Sequence, residues 1–168
     1  WGGVLSEEGV ENLRLGNSGA GRIFQDFQRL ILSLYYKGVL LAICSKNNFN
    51  EVIHVFQNHS GMILKESNIA CFQVNWSNKA ENIKAISSVL NIGLDSIVFV
   101  DDSPHEIAIV NALLPNVKTV LFDFKSIYNN RSCFNLKNDI NIKDVENRNQ
   151  TFKTDQDRKE LKLRYKNQ

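Results

Sequence analysis

The chain has 168 residues, 43% of them hydrophobic, which is enough for the core of one domain. Its 20 Lys+Arg against 18 Asp+Glu leave a net charge of +2 with no basic cluster, which excludes the charged footprint of a nucleic-acid binder. No apolar run approaches the about 18 residues of a membrane span and no signal-peptide pattern opens the sequence, so a membrane or secretory destination is not expected. Cys44, Cys71 and Cys133 are odd in number and lack metal-ligand spacing, as reduced thiols of a cytoplasmic protein do. Triplets such as Asn58-His-Ser and Asn75-Trp-Ser then read as accidents of an Asn-rich composition.

Helix and strand patterns alternate along the chain. From Ala20 to Lys37, apolar residues at Ile23, Phe24, Phe27, Leu30, Ile31, Leu34 and Tyr35 form a helical stripe, and Gly38 is placed to close it. Val39 to Cys44 is a continuous apolar run, as expected of a parallel strand buried on both faces. Asn48 to Asn58 reads as a helix with Val52, Ile53 and Phe56 inward, and Ala70 to Val74 as a short strand. Asn78 to Leu90 reads as a helix burying Ile83, Ile86 and Leu90, followed by a strand at Ile97–Val100. Ile107 to Leu114 is helical, and Val117 to Phe122 forms a further strand. Strands separated by helical crossovers predict an α/β fold built as a doubly wound parallel sheet. Residues 1–125 make up this domain. Residues 126–150 are polar, Asn-rich and aperiodic and read as a linker or long loop, and a charged helix is expected within 151–168, with Thr154 and Asp157 at its start.

The chemistry gathers at strand ends. In Ser96-Ile-Val-Phe-Val-Asp-Asp-Ser-Pro-His-Glu106 an apolar strand stops at two adjacent carboxylates and a helix begins at once. Ser103 is the N-cap, Pro104 occupies the first helical position, and Glu106 completes a capping box. Asp101 and Asp102 thus lie at the carboxyl end of a strand, the edge where open α/β sheets bind ligands. Two carboxylates with no basic residue between them favour a hard cation such as Mg²⁺. The competing reading is that Asp102 complements the helix dipole and Asp101 merely ends the strand. Ser45-Lys46-Asn47 follows the earlier buried run and precedes a helix, which suits either a phosphate site or a plain turn and cap. Lys79 falls in the first turn of its helix, where a cation opposes the macrodipole by about 0.3–1 kcal/mol. Its placement suggests a task elsewhere, unless it bends away into water.

The order Ser45, Lys79, Asp101-Asp102 resembles the haloacid dehalogenase (HAD) superfamily and differs from receiver domains, where the acids come first. Further segments resemble its FkbH-like branch. These are Trp1-Gly-Gly-Val-Leu5, Leu15-Gly16, Phe27-Gln28, Leu40-Leu-Ala-Ile-Cys-Ser-Lys-Asn47, Asn75-Trp76 with Lys79 and Asn82-Ile83, Leu90-Asn-Ile-Gly-Leu-Asp-Ser96 and Val98-Phe-Val-Asp-Asp-Ser-Pro104. The likeness is strong over residues 1–122, and Phe152, Thr154-Asp-Gln-Asp-Arg158 and Arg164-Tyr165 extend it more weakly. Ser60 and Ile107 depart from it, standing where the family usually has Pro and often has Arg.

The resemblance implies a HAD-like Rossmannoid fold whose nucleophilic D-x-D-N-T motif stands immediately before Trp1. The sequence then looks like a fragment lacking the central first strand, the one between the Ser45 and Asp101 strands, and on its own is expected to be inactive. It further implies that Ser45 binds phosphoryl oxygens while Lys46 and Asn47 shape the phosphate-binding loop. Lys79 neutralises phosphoryl charge, and Asp101 and Asp102 hold Mg²⁺. The implied reaction removes phosphate from 1,3-bisphosphoglycerate and passes the glyceryl unit to an acyl carrier protein. A small-molecule phosphatase and a non-catalytic module docking a carrier protein are the alternatives. A thioester step through the enzyme would need a cysteine, but Cys44, next to Ser45 on a strand, is expected to point into the core.

Overall fold

The computed structural model describes residues 19–122 together with Leu13, Leu15, Gly16 and Thr154. The first helix among the described residues, α1 (Gly19–Tyr35), ends two residues before the predicted Lys37. Its last turn closes through Val39 N–H to the Leu34 carbonyl (3.1 Å) and Gly38 N–H to the Tyr35 carbonyl (2.9 Å). Gly38 takes a φ of 88°, so this is a Schellman ending, and a side chain at that position would be strained. The apolar stripe accounts for part of the docking of α1, burying Phe24 and Leu34. Two buried glutamines complete it. Gln28 Oε1 accepts from Ile63 N–H (2.8 Å) and Leu64 N–H (3.0 Å), and Gln25 Nε2 donates to the Gly61 carbonyl (3.0 Å). The periodicity of apolar residues carries no trace of these polar anchors.

Among the described residues four strands follow, joined by helices: β1 (Leu41–Ser45), α2 (Phe49–Asn58), β2 (Ile69–Val74), α3 (Lys79–Leu90), β3 (Val98–Asp101), α4 (Pro104–Leu113) and β4 (Lys118–Leu121). The α/β class and the parallel pairing are as expected. The strands, however, form two pairs rather than one continuous sheet. β1 lies parallel to β2, with Ser45 opposite Val74, and β3 lies parallel to β4, with Asp101 opposite Leu121. The Ser45 and Asp101 strands were expected to flank a strand outside this sequence, and β1 and β3 do not pair with each other. With a neighbour on one side among the described residues, β1 is less enclosed than predicted: Leu41 is buried, but Ala42, Ile43 and Cys44 are half-buried.

Among the described residues the core has three parts. One gathers α2, β1 and β2 around Val52, Val55, Phe56, Leu41 and Ile69. Val55, fully buried, takes the inward place expected of Ile53, which is half-buried. A second joins Ala80, Ile83, Phe99, Val110, Leu114 and Val117, and a third joins Cys71, Ile86 and Leu90, with Cys44 packed against both. α3 therefore contributes to both strand pairs, Ala80 and Ile83 toward the β3 side and Ile86 and Leu90 toward the β2 side. Cys44 and Cys71 are free thiols. Among the described residues no helix is long and apolar enough to cross a membrane. Thr154 is helical and exposed, whereas the 126–150 linker, Cys133 and the remainder of the 151–168 helix lie outside the described residues.

Candidate active site

Within each parallel pair the strand carboxyl ends share an edge, and the Lys46–Glu106 and Lys79–Asp101 ion pairs join the end of β1 and the starts of α3 and α4 to the end of β3, where the polar residues of the sequence collect. Ser45 is the last residue of β1. Its Oγ accepts from Asn47 Nδ2 (2.9 Å), and its carbonyl accepts from Asn75 N–H (3.1 Å), which ties the end of β1 to the end of β2. Asn47 is buried, so its amide forms an inner part of the turn and is not a solvated cap. The loop leading to Lys79 is fixed in turn by a reciprocal amide pair. Asn75 Nδ2 donates to Asn82 Oδ1 (3.1 Å) and Asn82 Nδ2 donates to Asn75 Oδ1 (2.9 Å). At the rim of this edge Trp76 is 58% exposed, its Nε1 donating to Asn48 Oδ1 (3.2 Å).

Lys79 begins α3 just after its N-cap Asn78, whose side chain accepts from Ala80 N–H (2.8 Å). Its side chain does not bend into water. It is 12% exposed, its Nζ donates to Asp101 Oδ2, and the ammonium lies 5.9 Å from the centroid of the Phe99 ring. An unfavourable helix position is thus offset by an enclosed ion pair and a cation–π contact. The sequence shows no basic residue between the two acids. The compensating charge comes from a residue 22 positions earlier in the chain.

Asp101 has a 6% exposed side chain and uses both oxygens, Oδ2 toward Lys79 and Oδ1 accepting from Ser103 N–H (2.9 Å). Asp102 is exposed. The capping box is correct in one half. Ser103 Oγ accepts from Glu106 N–H (3.4 Å), but the Glu106 carboxylate does not return to the Ser103 N–H, which Asp101 already occupies. Glu106 Oε1 instead accepts from Lys46 Nζ at 2.5 Å. Glu106 was read from sequence as a local cap and missed as part of this edge. Its helix-start spacing concealed it, because a long-range partner leaves no mark in a local pattern.

Cys44, the residue before Ser45 on β1, is half-buried and packs against the clusters around Phe99 and around Cys71. Its thiol, 3.8 Å from the Lys79 carbonyl, is pushed up to about 12 by burial in the core, with Lys79 opposing and Asp101 adding to the shift. A sulfur held as thiol over that range is a poor nucleophile.

Among the described residues no three His, Cys, Asp or Glu side chains converge as a metal cage. Mg²⁺ does not require one, since it is commonly held by one or two carboxylates with water and substrate phosphate completing the octahedron. Asp101 and Asp102 supply adjacent hard oxygen donors of the kind that mode uses, the Asp102 carboxylate exposed.

The architecture matches a solved structure described as the N-terminal part of protein BF1531 from Bacteroides fragilis, containing a phosphatase domain and complexed with Mg. The match has a TM-score of 0.76 and 39% sequence identity, and it covers 81% of this chain and 37% of that one. The chain thus spans little more than a third of the matched protein part. The likeness supports the HAD-like α/β fold expected from the sequence. No family model and no curated protein matched the chain.

Proposed function

We propose that this chain is the phosphoryl-binding part of a Mg²⁺-dependent enzyme of the HAD superfamily, of the FkbH-like type. The observation that carries the reading is the Lys79–Asp101 ion pair at the carboxyl edge with the Ser45 turn, in a sequence 39% identical over the matched part to a Mg-complexed structure containing a phosphatase domain. In this reading Ser45 donates its hydroxyl to a phosphoryl oxygen, and the Lys46-Asn47 turn frames that oxygen. Lys79 neutralises charge that builds on the phosphoryl group, while Asp101 and Asp102 hold the cation. Mg²⁺ when bound supplies Lewis-acid charge neutralisation. The residues of this chain bind, orient and shield, and such positioning and electrostatics account for most of the rate enhancement in phosphoryl transfer.

The substrate proposed is the acyl phosphate 1,3-bisphosphoglycerate, with an acyl carrier protein taking the glyceryl unit. The test follows phosphate release and carrier acylation by the full-length protein as Mg²⁺ is titrated. Mg²⁺-dependent release together with glyceryl carried on the carrier is expected, and Lys79→Met should abolish both. Release without carrier acylation would overturn the transfer step and leave a plain phosphatase. Absence of both, with carrier binding retained, would replace the enzyme by a docking module.

A further inference from the structure

Glu106 has a local partner available and does not use it. At the third position of α4 its carboxylate could cap the Ser103 N–H, but Asp101 Oδ1 occupies that donor. Glu106 reaches out of its own helix to Lys46, 60 residues away, at the turn after β1. Its side chain is 10% exposed while that of Lys46 is 37% exposed, so the acid is the anchored member and the lysine the displayed one. The second oxygen, Oε2, is buried and carries no hydrogen bond. Withdrawing a carboxylate from water with one oxygen unpaired is costly. An enclosed carboxylate with one oxygen unpaired is a weak source of stability. The same edge already holds one such couple, in which the enclosed Asp101 fixes Lys79.

We propose that Glu106 is a positioning residue for phosphate recognition: it fixes the Lys46 ammonium over the Ser45 turn, so that the turn meets a phosphorylated ligand with an ordered cation. This deepens the phosphoryl-binding reading and rests on it. An unfixed lysine side chain has rotamer freedom to lose, and a bound anion must overcome whatever part of that the protein has not already removed. The ammonium has three donors, of which the Glu106 bond takes one, leaving donors for phosphate oxygens.

The probe is inorganic phosphate, its affinity measured by calorimetry at fixed Mg²⁺ on the full-length protein, with thermal midpoints recorded in parallel. Glu106→Gln and Lys46→Gln should each weaken phosphate binding about tenfold, and the double variant should bind no worse than Lys46→Gln alone, because Glu106 acts through Lys46. The exchanged pair, Lys46→Glu with Glu106→Lys, should regain the thermal midpoint of the parent yet keep the loss of phosphate affinity. Recovery of both would make the bridge purely structural and overturn the proposal, as would unchanged or tighter phosphate binding by Glu106→Gln. Ser45→Ala and Lys79→Met in the same series separate the two readings. If they weaken binding while Glu106→Gln does not, the role of Glu106 fails alone. If neither alters affinity, the phosphate site itself fails.

Discussion

Asp101 and Asp102 are neighbours in sequence and unlike in circumstance. Asp101 is enclosed, paired with Lys79 and accepting from Ser103, whereas Asp102 is exposed. Removing one partner from an enclosed ion pair leaves the other uncompensated, at about 3–5 kcal/mol. Asp101→Asn is therefore expected to lower the metal-free thermal midpoint clearly and Asp102→Asn to leave it nearly unchanged, although both should weaken Mg²⁺-dependent turnover. Denaturant midpoints without metal and turnover against Mg²⁺ concentration check the two halves. A wild-type Mg²⁺ response in both variants would remove the metal assignment. Cys44 gives a pH prediction. The unfolded thiol ionises near its usual 9 and the folded one, buried, not until about 12. Between these values the unfolded chain loses a proton that the folded one keeps. The contribution of Cys44 is therefore complete below 9 and declines as pH rises toward 12. Comparing thermal midpoints at about pH 8 and about pH 10, the fall should be shallower in Cys44→Ala than in the parent.

At the scale of elements, the boundaries carry the expected chemistry. Gly38 adopts a φ of 88°, so Gly38→Ala should cost about 1 kcal/mol or more. Asn78→Ala should cost about 1 kcal/mol, by loss of the bond to Ala80 N–H, and Asn78→Gly a few tenths. Urea midpoints measured for both substitutions at Asn78 distinguish a capping role from simple loss of side-chain volume. Each strand and α-helix between residues 19 and 122 was legible, because apolar periodicity and caps are local properties, but the short 3-10 turns at Glu66–Asn68 and Leu94–Ser96 were not. Strand ends shifted by a residue or two, as with β1 ending at Ser45 and β3 at Asp101. Ser45, Asn47, Lys79 and Asp101 were legible as polar residues at strand ends and helix starts, and the fold brings them to one edge. What the sequence concealed was pairing. Lys79 could not be matched to Asp101, nor Glu106 to Lys46, because each bond spans a distance along the chain on which no periodicity reports.

For the whole molecule, α3 is decisive, since it contributes to the packing around both strand pairs. Ile83 is 1% exposed at the centre of the β3 side, and Ile83→Ala should cost about 2–5 kcal/mol. A chemical melt monitored by two probes, one near Phe99 and one near Phe72, should show both regions weakened together, because Ile83 belongs to the helix they share.

The division of the strands has a consequence for how the molecule comes together. Leu41 pairs with Ile69, and Val98 with Lys118, so each parallel ladder closes over a single helical crossover and a modest stretch of chain. Closing such loops is entropically inexpensive compared with joining distant segments. Each crossover unit can therefore nucleate by itself, and the late event is the seating of α3 between them. Native-state hydrogen exchange should resolve two cooperative units with distinct opening free energies, the amides of β1–β2 forming one and those of β3–β4 the other. The lysine at the head of α3 would be among the last groups delivered to its carboxylate, so the charge arrangement at the sheet edge matures only when assembly is finished.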